Sequence, residues 1–232
     1  EDHGASPPAM KPDSDATLFD LTARYPDEES AVRYFESLRW PKGPRCLSCK
    51  TADVVRGQTE RRRQIWHCRK CGEQFTVTMG TVMEDTKLPL RKWLLAFHLI
   101  GASKKGMSAL QLARMLGVSY KTAWHLGHRI RATMTDGEYV REGPRGRLVT
   151  TNTAEGLFAN LKRQITGTHH HTSKRHLPKY LEEYDYKYNT RKKSDGARTV
   201  AAIKRAVGKR LTLYRTRNAG VPSLFEGPAP RR

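Results

Sequence analysis

Two pairs of cysteines constrain this chain more than any other feature of its sequence. Cys46 and Cys49 form one C-x2-C pair, Cys68 and Cys71 form a second, and eighteen residues lie between the pairs. In a zinc ribbon, two such knuckles supply four thiolates to one tetrahedral Zn²⁺. The chain has no other cysteine, and paired motifs of this kind are more typical of metal binding than of disulfides. The sequence therefore predicts a structural zinc site formed by these four thiolates.

The charge of the chain indicates a polyanionic partner. Its 232 residues carry a formal net charge of +20. Residues 1–40 contain nine acidic and four basic side chains, whereas residues 41–232 contain 14 acidic and 39 basic ones. Such an excess most often serves nucleic-acid binding. An anionic membrane surface is the other candidate, but no apolar run approaches the ~20 residues of a membrane span.

Composition and periodicity predict a mainly α-helical chain with a small β zinc ribbon. Residues 65–67 and 74–78 have strand character around the second knuckle. Amphipathic helices are predicted before and after the ribbon. The predicted segments are a disordered lead (1–16), an N-terminal helix and turn (17–44), the zinc ribbon (45–80), a helix-turn-helix (86–132), a linker (133–150), a C-terminal helical segment (151–213) and a loose basic tail (214–232).

The helices between Pro89 and Ile130 have the pattern of a helix-turn-helix. A helix expected to end at Gly101 is followed by a helix opened by Ser108, with Leu110, Leu112, Ala113 and Leu116 on its apolar face. Gly117 provides a turn and Ser119 caps a third helix. This helix is expected to expose Tyr120, Lys121, His125, His128, Arg129 and Arg131. The candidate DNA contacts are Ser119, Tyr120, Lys121, Thr122, His125 and Arg129. A small helical bundle without a DNA-binding role has the same pattern.

Basic residues also surround the cysteines, and three roles for them stay open. They can offset the negative charge of a four-thiolate site, contact phosphate, or be merely solvated. These residues are Arg45, Lys50, Arg69, Lys70 and the run Arg61-Arg62-Arg63.

A third motif lies in residues 152–163, with the sequence NTAEGLFANLKR. Glu155 and Lys162 are seven positions apart, which is two helical turns, so both side chains leave one face of a helix. A carboxylate and a cation on one face suit a site for metal and phosphate. A surface salt-bridge pattern accounts for the same two residues.

The order of these parts, with the phrase TNTAEGLFANLKRQITGTHHHTSKRHLPKYLEEYDYKYNTR, resembles the bacterial insertion-sequence transposases of the ISXO-like group. The resemblance covers about residues 25–132 and 138–195. It implies a structural zinc, an RNase-H-like domain with a DDE acidic triad, Mg²⁺ or Mn²⁺ as catalytic metal, transposon-end DNA as partner, and a cytoplasmic, nucleoid-associated location. Glu155 matches the family's third catalytic acid, and Lys162 matches the basic residue that follows it.

The chain departs from this family in one large respect. The first two catalytic aspartates of the family lie on strands between the helix-turn-helix and the N-T-x-E-G phrase. Here only about eighteen residues separate those parts, and Asp136 is the only aspartate among them. A sheet needs far more residues, since strands average ~5–6 residues before their connections. The resemblance therefore implies an internally deleted transposase, in which residues 151–213 are the helical remnant of the catalytic domain.

Three interpretations follow. The first is a zinc-dependent DNA-binding protein without strand-transfer activity, because one carboxylate cannot hold two metals ~3.5–4 Å apart. The second is an enzyme that is active only when assembled with full-length protein, which supplies the missing acids. A homo-oligomer is the other expected form of association. The third is a basic zinc-ribbon regulator unrelated to transposition. In each case the apolar faces of residues 152–166 and 177–190 must pack on each other, on the helix-turn-helix or on another chain.

Overall fold

The computed structural model describes residues 17–58, 64–134, 151–209 and 211. The predicted lead, Asp136 with most of the linker, the run Arg61-Arg62-Arg63 and the tail lie outside the described residues. The elements are α1 (Leu18–Arg24), α2 (Glu28–Arg39), β1 (Val54–Gln58), β2 (Gln64–Cys68), β3 (Gln74–Phe75), α3 (Leu90–Ala102), α4 (Ala109–Leu116), α5 (Tyr120–Met134), α6 (Thr151–Gln164), α7 (Leu177–Asn189) and α8 (Asp195–Lys204). The mainly helical fold with a small β ribbon is confirmed.

Helices α1, α2, α4, α5 and α8 all pack against α3. Trp93, Phe97 and Ile100 of this helix are almost fully buried in the main hydrophobic core. Pro89 provides no side-chain cap for α3, so Glu28 of α2 takes that role. Its carboxylate accepts hydrogen bonds from the backbone N–H of Leu90 (2.7 Å) and of the next residue (3.0 Å). A carboxylate at this position also complements the positive end of the helix dipole.

Gly101 does not end α3 as predicted. It lies inside the helix, which continues to Ala102, and it faces α8. A Cβ at Gly101 would lie 3.3 Å from Oγ1 of Thr199. The missing side chain therefore allows α8 to approach α3 closely.

The pair α4 and α5 begins and turns where the sequence predicts. Ser108 accepts from the N–H of Gln111 (3.2 Å), and Ser119 accepts from the N–H of Thr122 (3.2 Å). Gly117 joins the helices in the left-handed conformation, with φ of 59°. The apolar face of α4 is narrower than predicted, because Leu110 is 50% exposed.

Helices α7 and α8 pack onto the bundle, which answers for residues 177–190 the question left open by the sequence. Helix α7 lies against α5, and α8 lies against α3. The buried face of α7 contains Glu183, Tyr184, Tyr186 and Lys187. Leu177 and Leu181, on the same helix, are only half-buried. Within the described residues, the only sheet is the antiparallel one in the order β1-β2-β3.

Three ionised side chains are buried where α5 meets α7. Arg131 pairs with one carboxylate oxygen of Glu183, and Nζ of Lys187 lies 2.5 Å from the other. Arg131 also donates to the carbonyl of Met107 (3.2 Å), and its guanidinium lies 4.4 Å from the centre of the Tyr180 ring. Burial opposes ionisation of Glu183, but the two cations outweigh it and lower the pKa of Glu183 to about 2.

The ribbon has its own small core and is held to the bundle through Glu36 of α2. The Glu36 carboxylate accepts from Nε1 of Trp66 on β2 (2.8 Å) and pairs with Arg56 on β1. The Arg56 guanidinium lies over the Trp66 ring, 4.9 Å from its centre. Burial raises the pKa of Glu36, although the hydrogen bond from Trp66 and the charge of Arg56 oppose this. This contact fixes the sheet against α2.

Candidate metal centre and nucleic-acid interface

The four cysteine sulfurs meet at one point. Sγ of Cys46 lies 3.5 Å from Sγ of Cys71, and the Cys49 and Cys68 sulfurs are also 3.5 Å apart. All four lie within 4.8 Å of one another. A tetrahedral site with Zn–S bonds of ~2.3 Å requires S–S distances of about 3.8 Å. The residues therefore fit a structural Zn²⁺, as the spacing of the motifs predicts.

The two knuckles repeat the same backbone hydrogen bonds. The N–H of Cys46 donates to the carbonyl of Thr51, and the N–H of Cys68 donates to that of Glu73, both at 2.9 Å. The residue after each second cysteine closes the turn by donating back to the carbonyl of the first cysteine. It is Lys50 in one knuckle (φ 60°) and Gly72 in the other (φ 73°). Only glycine adopts this conformation without a steric cost, so the first knuckle accepts some strain.

Aromatic side chains shield one side of the thiolates. Cys46, Cys68 and Phe75 are almost fully buried together, and the Trp40 ring lies edge-on to Phe75 with centres 5.7 Å apart. Burial of Cys68 disfavours its thiolate, but hydrogen bonds from the Cys71 backbone and from neighbouring thiols outweigh this and lower its pKa to about 7. At Cys71 a backbone hydrogen bond from Glu73 lowers the pKa, but the neighbouring thiols outweigh it and raise that pKa to about 12.

Most of the predicted DNA contacts line one surface groove of about 530 Å³. Ser119, Lys121 and Thr122 are exposed at the start of α5, and Tyr120 beside them is 57% exposed. The opposite wall is the loop before α3. The groove is lined by Asp85, Thr86, Lys87, Leu88, Val118, Ser119, Lys121, Thr122, His125 and Arg129. Lys87 was not predicted, because it belongs to no helical pattern and lies close to α5 only in the fold.

The prediction is wrong for the rest of the α5 surface. His128, Arg129 and Arg131 were expected to be exposed, but they are 0%, 7% and 3% exposed. Arg129 donates to the carbonyl of Glu84 and lies over the Trp93 ring, 5.2 Å from its centre. It therefore forms part of the floor of the groove and does not project from it.

His128 is buried among aromatic rings. Its ring centre is 4.4 Å from that of Trp124 and 4.9 Å from that of His176. Burial, with the charge of Arg131 nearby, lowers the pKa of His128 to about 2. The same causes act on His125, where burial and the charge of Arg129 lower the pKa to about 4. Both imidazoles are therefore neutral at pH 7 and add no positive charge to the groove.

The two residues matched to the catalytic site lie on α6. Glu155 and Lys162 are two turns apart on this helix, and Lys162 is exposed. The helix continues as a π-helical turn, Ile165–His169, which ends at the first of three consecutive histidines. Phe158, between the two residues, is 64% exposed.

Comparison with known proteins identifies two domains. A model of the transposase zinc-ribbon domain matches residues 26–74, and a model of the ISXO2-like transposase domain matches residues 119–189. A curated relative, described as an uncharacterized protein in transposable element ISH50 of Halobacterium salinarum, is 32% identical over 117 residues. The match covers 50% of this chain and 39% of that relative. No solved structure gives a significant match.

The matched regions agree with the fold. The ribbon match includes α2 and all four cysteines, and the second match begins at Ser119, which caps α5, and ends at Asn189, the last residue of α7. Helices α5 and α7, which pack together, therefore belong to one matched unit. In the described part of the chain, no helix has the length and apolarity needed to cross a membrane. The chain therefore carries a transposase zinc-ribbon domain, whose four cysteines fit zinc, followed by a region that matches the ISXO2-like transposase domain.

Proposed function

We propose that this chain binds double-stranded DNA at transposon ends through its ribbon and through α4 and α5, which act as a helix-turn-helix. It descends from a transposase but does not transfer strands by itself, and its location is the nucleoid. The observation that carries the proposal is the groove at the start of α5. Hydroxyl and cationic side chains line this groove, and the first turn of α5 is exposed there.

The chemistry of this groove suits a DNA backbone. The hydroxyls of Ser119 and Thr122 lie 2.8 Å apart at the N-terminal end of α5, where the helix dipole is positive. Lys121 and Lys87 add charge for phosphate contacts. In helix-turn-helix proteins, the first residues of the second helix contact base edges. Tyr120, exposed beside the groove, is the side chain we expect to reach furthest towards the bases.

Charge reversal at Lys121 tests whether the groove at the start of α5 binds duplex DNA. Lys121→Glu should weaken binding to a transposon-end duplex about tenfold or more, because a phosphate contact becomes a repulsion. The slope of log affinity against log salt should fall by about one or more units. Fluorescence anisotropy over a salt series measures both quantities.

Lys204→Glu, at an exposed lysine of α8, removes the same charge and should have a much smaller effect. Equal effects of the two variants would mean that binding depends only on net charge, and that α5 does not form the interface.

The second part of the proposal concerns activity. Purified zinc-loaded protein should neither cut nor join a transposon-end duplex in Mg²⁺ or Mn²⁺, because Glu155 alone cannot hold two metal ions. Gel analysis of end-labelled substrate measures both steps. Strand transfer by this protein alone would overturn the proposal.

Assembly with full-length transposase is the second candidate function, and the 64% exposed Phe158 on α6 favours it. Joined products that appear only after the full-length protein is added, and that are lost in Glu155→Gln of this chain, would support it.

A further inference from the structure

We propose that a second, cationic cavity beside α6 and α7 binds an unpaired DNA strand. The cavity has a volume of about 450 Å³ and shares no lining residue with the groove at the start of α5. It lies between the loop after α3 and helices α6, α7 and α8. Six cationic side chains line it: Lys104, Lys105, Arg163, Lys187, Arg191 and Arg198.

These cations give the cavity a net positive charge. Two of them pair with carboxylates outside the lining, Lys187 with Glu183 and Arg198 with Asp195. The other four are exposed, and none of the described residues that line the cavity is acidic. A concave surface lined by one sign of charge concentrates ligands of the opposite sign. The backbone of a nucleic acid is such a ligand.

A buried amide in the cavity wall also indicates a polar ligand. Gln164 is 2% exposed, and neither its Oε1 nor its Nε2 has a hydrogen-bond partner among the described residues. The loop that carries Lys104 and Lys105 closes over it at Gly106, where a Cβ would lie 3.0 Å from Nε2 of Gln164. A buried amide without partners is costly. The wall of the cavity covers both amide atoms, so a base reaches this donor and acceptor when the loop at Gly106 shifts.

Planar side chains in the cavity offer a surface for stacking. The rings of Tyr184 and Tyr188 stack with centres 6.2 Å apart and planes 24° apart. The Arg191 guanidinium lies over the second of these rings, 4.3 Å from the centre of Tyr188. Aromatic and guanidinium planes bind unpaired bases in proteins that recognise single strands.

The cavity has room for the bases of an unpaired strand. A volume of about 450 Å³ falls in the ~300–1,000 Å³ range of small-ligand sites, which suits one or two nucleotides. The bases of a duplex are held in its stack and do not enter such a cavity. The site therefore takes an unpaired strand, such as an opened end, and its existence does not depend on the duplex interface of α5.

Oligonucleotide binding to the full zinc-loaded chain tests this proposal. The probes are a labelled oligothymidylate of about eight nucleotides and a blunt duplex. Lys104→Glu combined with Lys105→Glu should weaken single-strand binding about tenfold and leave duplex binding within about twofold. Lys121→Glu should show the reverse pattern.

Gln164→Leu separates a binding role from a structural one. Removing an unpartnered buried amide should leave the melting temperature unchanged or raised, while single-strand affinity falls severalfold. Unchanged single-strand affinity in both this variant and the double lysine variant would overturn the proposal. Displacement of the oligonucleotide by equimolar inorganic phosphate would also overturn it, because the cavity would then be an anion site only.

Discussion

Replacing Cys68 with serine is expected to unfold the ribbon and to leave the helical bundle folded. The buried cluster of the ribbon contains only Cys46, Cys68 and Phe75 among the described residues, with half-buried neighbours around it. A cluster of this size cannot offset the conformational entropy of about 30 ordered residues, at ~1–2 kcal/mol each for the backbone. Zinc binding contributes about 10–16 kcal/mol to folding in small structural sites of this type. Loss of one thiolate removes most of that contribution.

Chelation of the wild-type protein should have the same effect. We expect one Zn²⁺ per chain by elemental analysis, and loss of it should release Trp66 from Glu36 and change the tryptophan fluorescence. The helical circular dichroism should be largely retained, since the core around α3 is separate from the ribbon. Lys70→Ala, at an exposed position inside the second knuckle, is the matched control. Stable, unchanged structure after chelation or in Cys68→Ser would show that the ribbon folds without metal.

The zinc site could be predicted from the sequence because its determinants are local. Each knuckle places two thiolates three residues apart, and the turn after it depends on one residue, Lys50 or Gly72. The two knuckles need only one hairpin between them to meet. Half of that hairpin, β1, was missed, because Val54 and Val55 are followed by arginine, glycine and glutamine, which give no clear strand pattern.

The surface of α5 could not be predicted, for a physical reason. A helical period shows which residues share a face, but it does not show what covers that face. The helical pattern predicts that Arg131 is exposed. In the fold it is buried, because it pairs with Glu183, which lies 52 positions later in the sequence. The polar face of α5 is therefore divided. Its first turn remains exposed around Lys121, and its later turns are covered by α7 and, at Arg129, by the loop before α3.

The same long-range pairing produces the largest effect expected from a single substitution in the bundle. Glu183→Leu should destabilise the protein by about 3–5 kcal/mol, because it leaves Arg131 and Lys187 buried without their carboxylate. Urea unfolding at pH 7 measures this free energy. Glu182→Gln, at the half-buried neighbouring position, should cost far less.

The pH dependence gives a second measurement. Since Arg131 and Lys187 hold the pKa of Glu183 near 2 in the folded state, well below its ordinary value of ~4.3, this carboxylate stabilises the fold above that ordinary value. Its contribution is lost as the pH falls towards 2. The difference in stability between the wild type and Glu183→Leu should therefore shrink between about pH 5 and pH 2. A difference independent of pH would mean that the substitution disturbs packing and not charge.

Replacing all three buried charged residues shows whether they stabilise the fold or only orient α7 on α5. Arg131→Met, Glu183→Leu and Lys187→Met together remove every buried charge of the trio while keeping similar volumes. Because desolvation of buried ions often cancels their attraction, the triple variant should recover most of the stability lost in Glu183→Leu. If it does, the trio is not needed for stability, and its role is to orient α7 on α5.

Helix α7 supplies Tyr184, Lys187 and Tyr188 to the cationic cavity, so the triple variant should fold and still bind single strands less tightly. A triple variant as unstable as the single one would instead show that the three charges are a net source of stability.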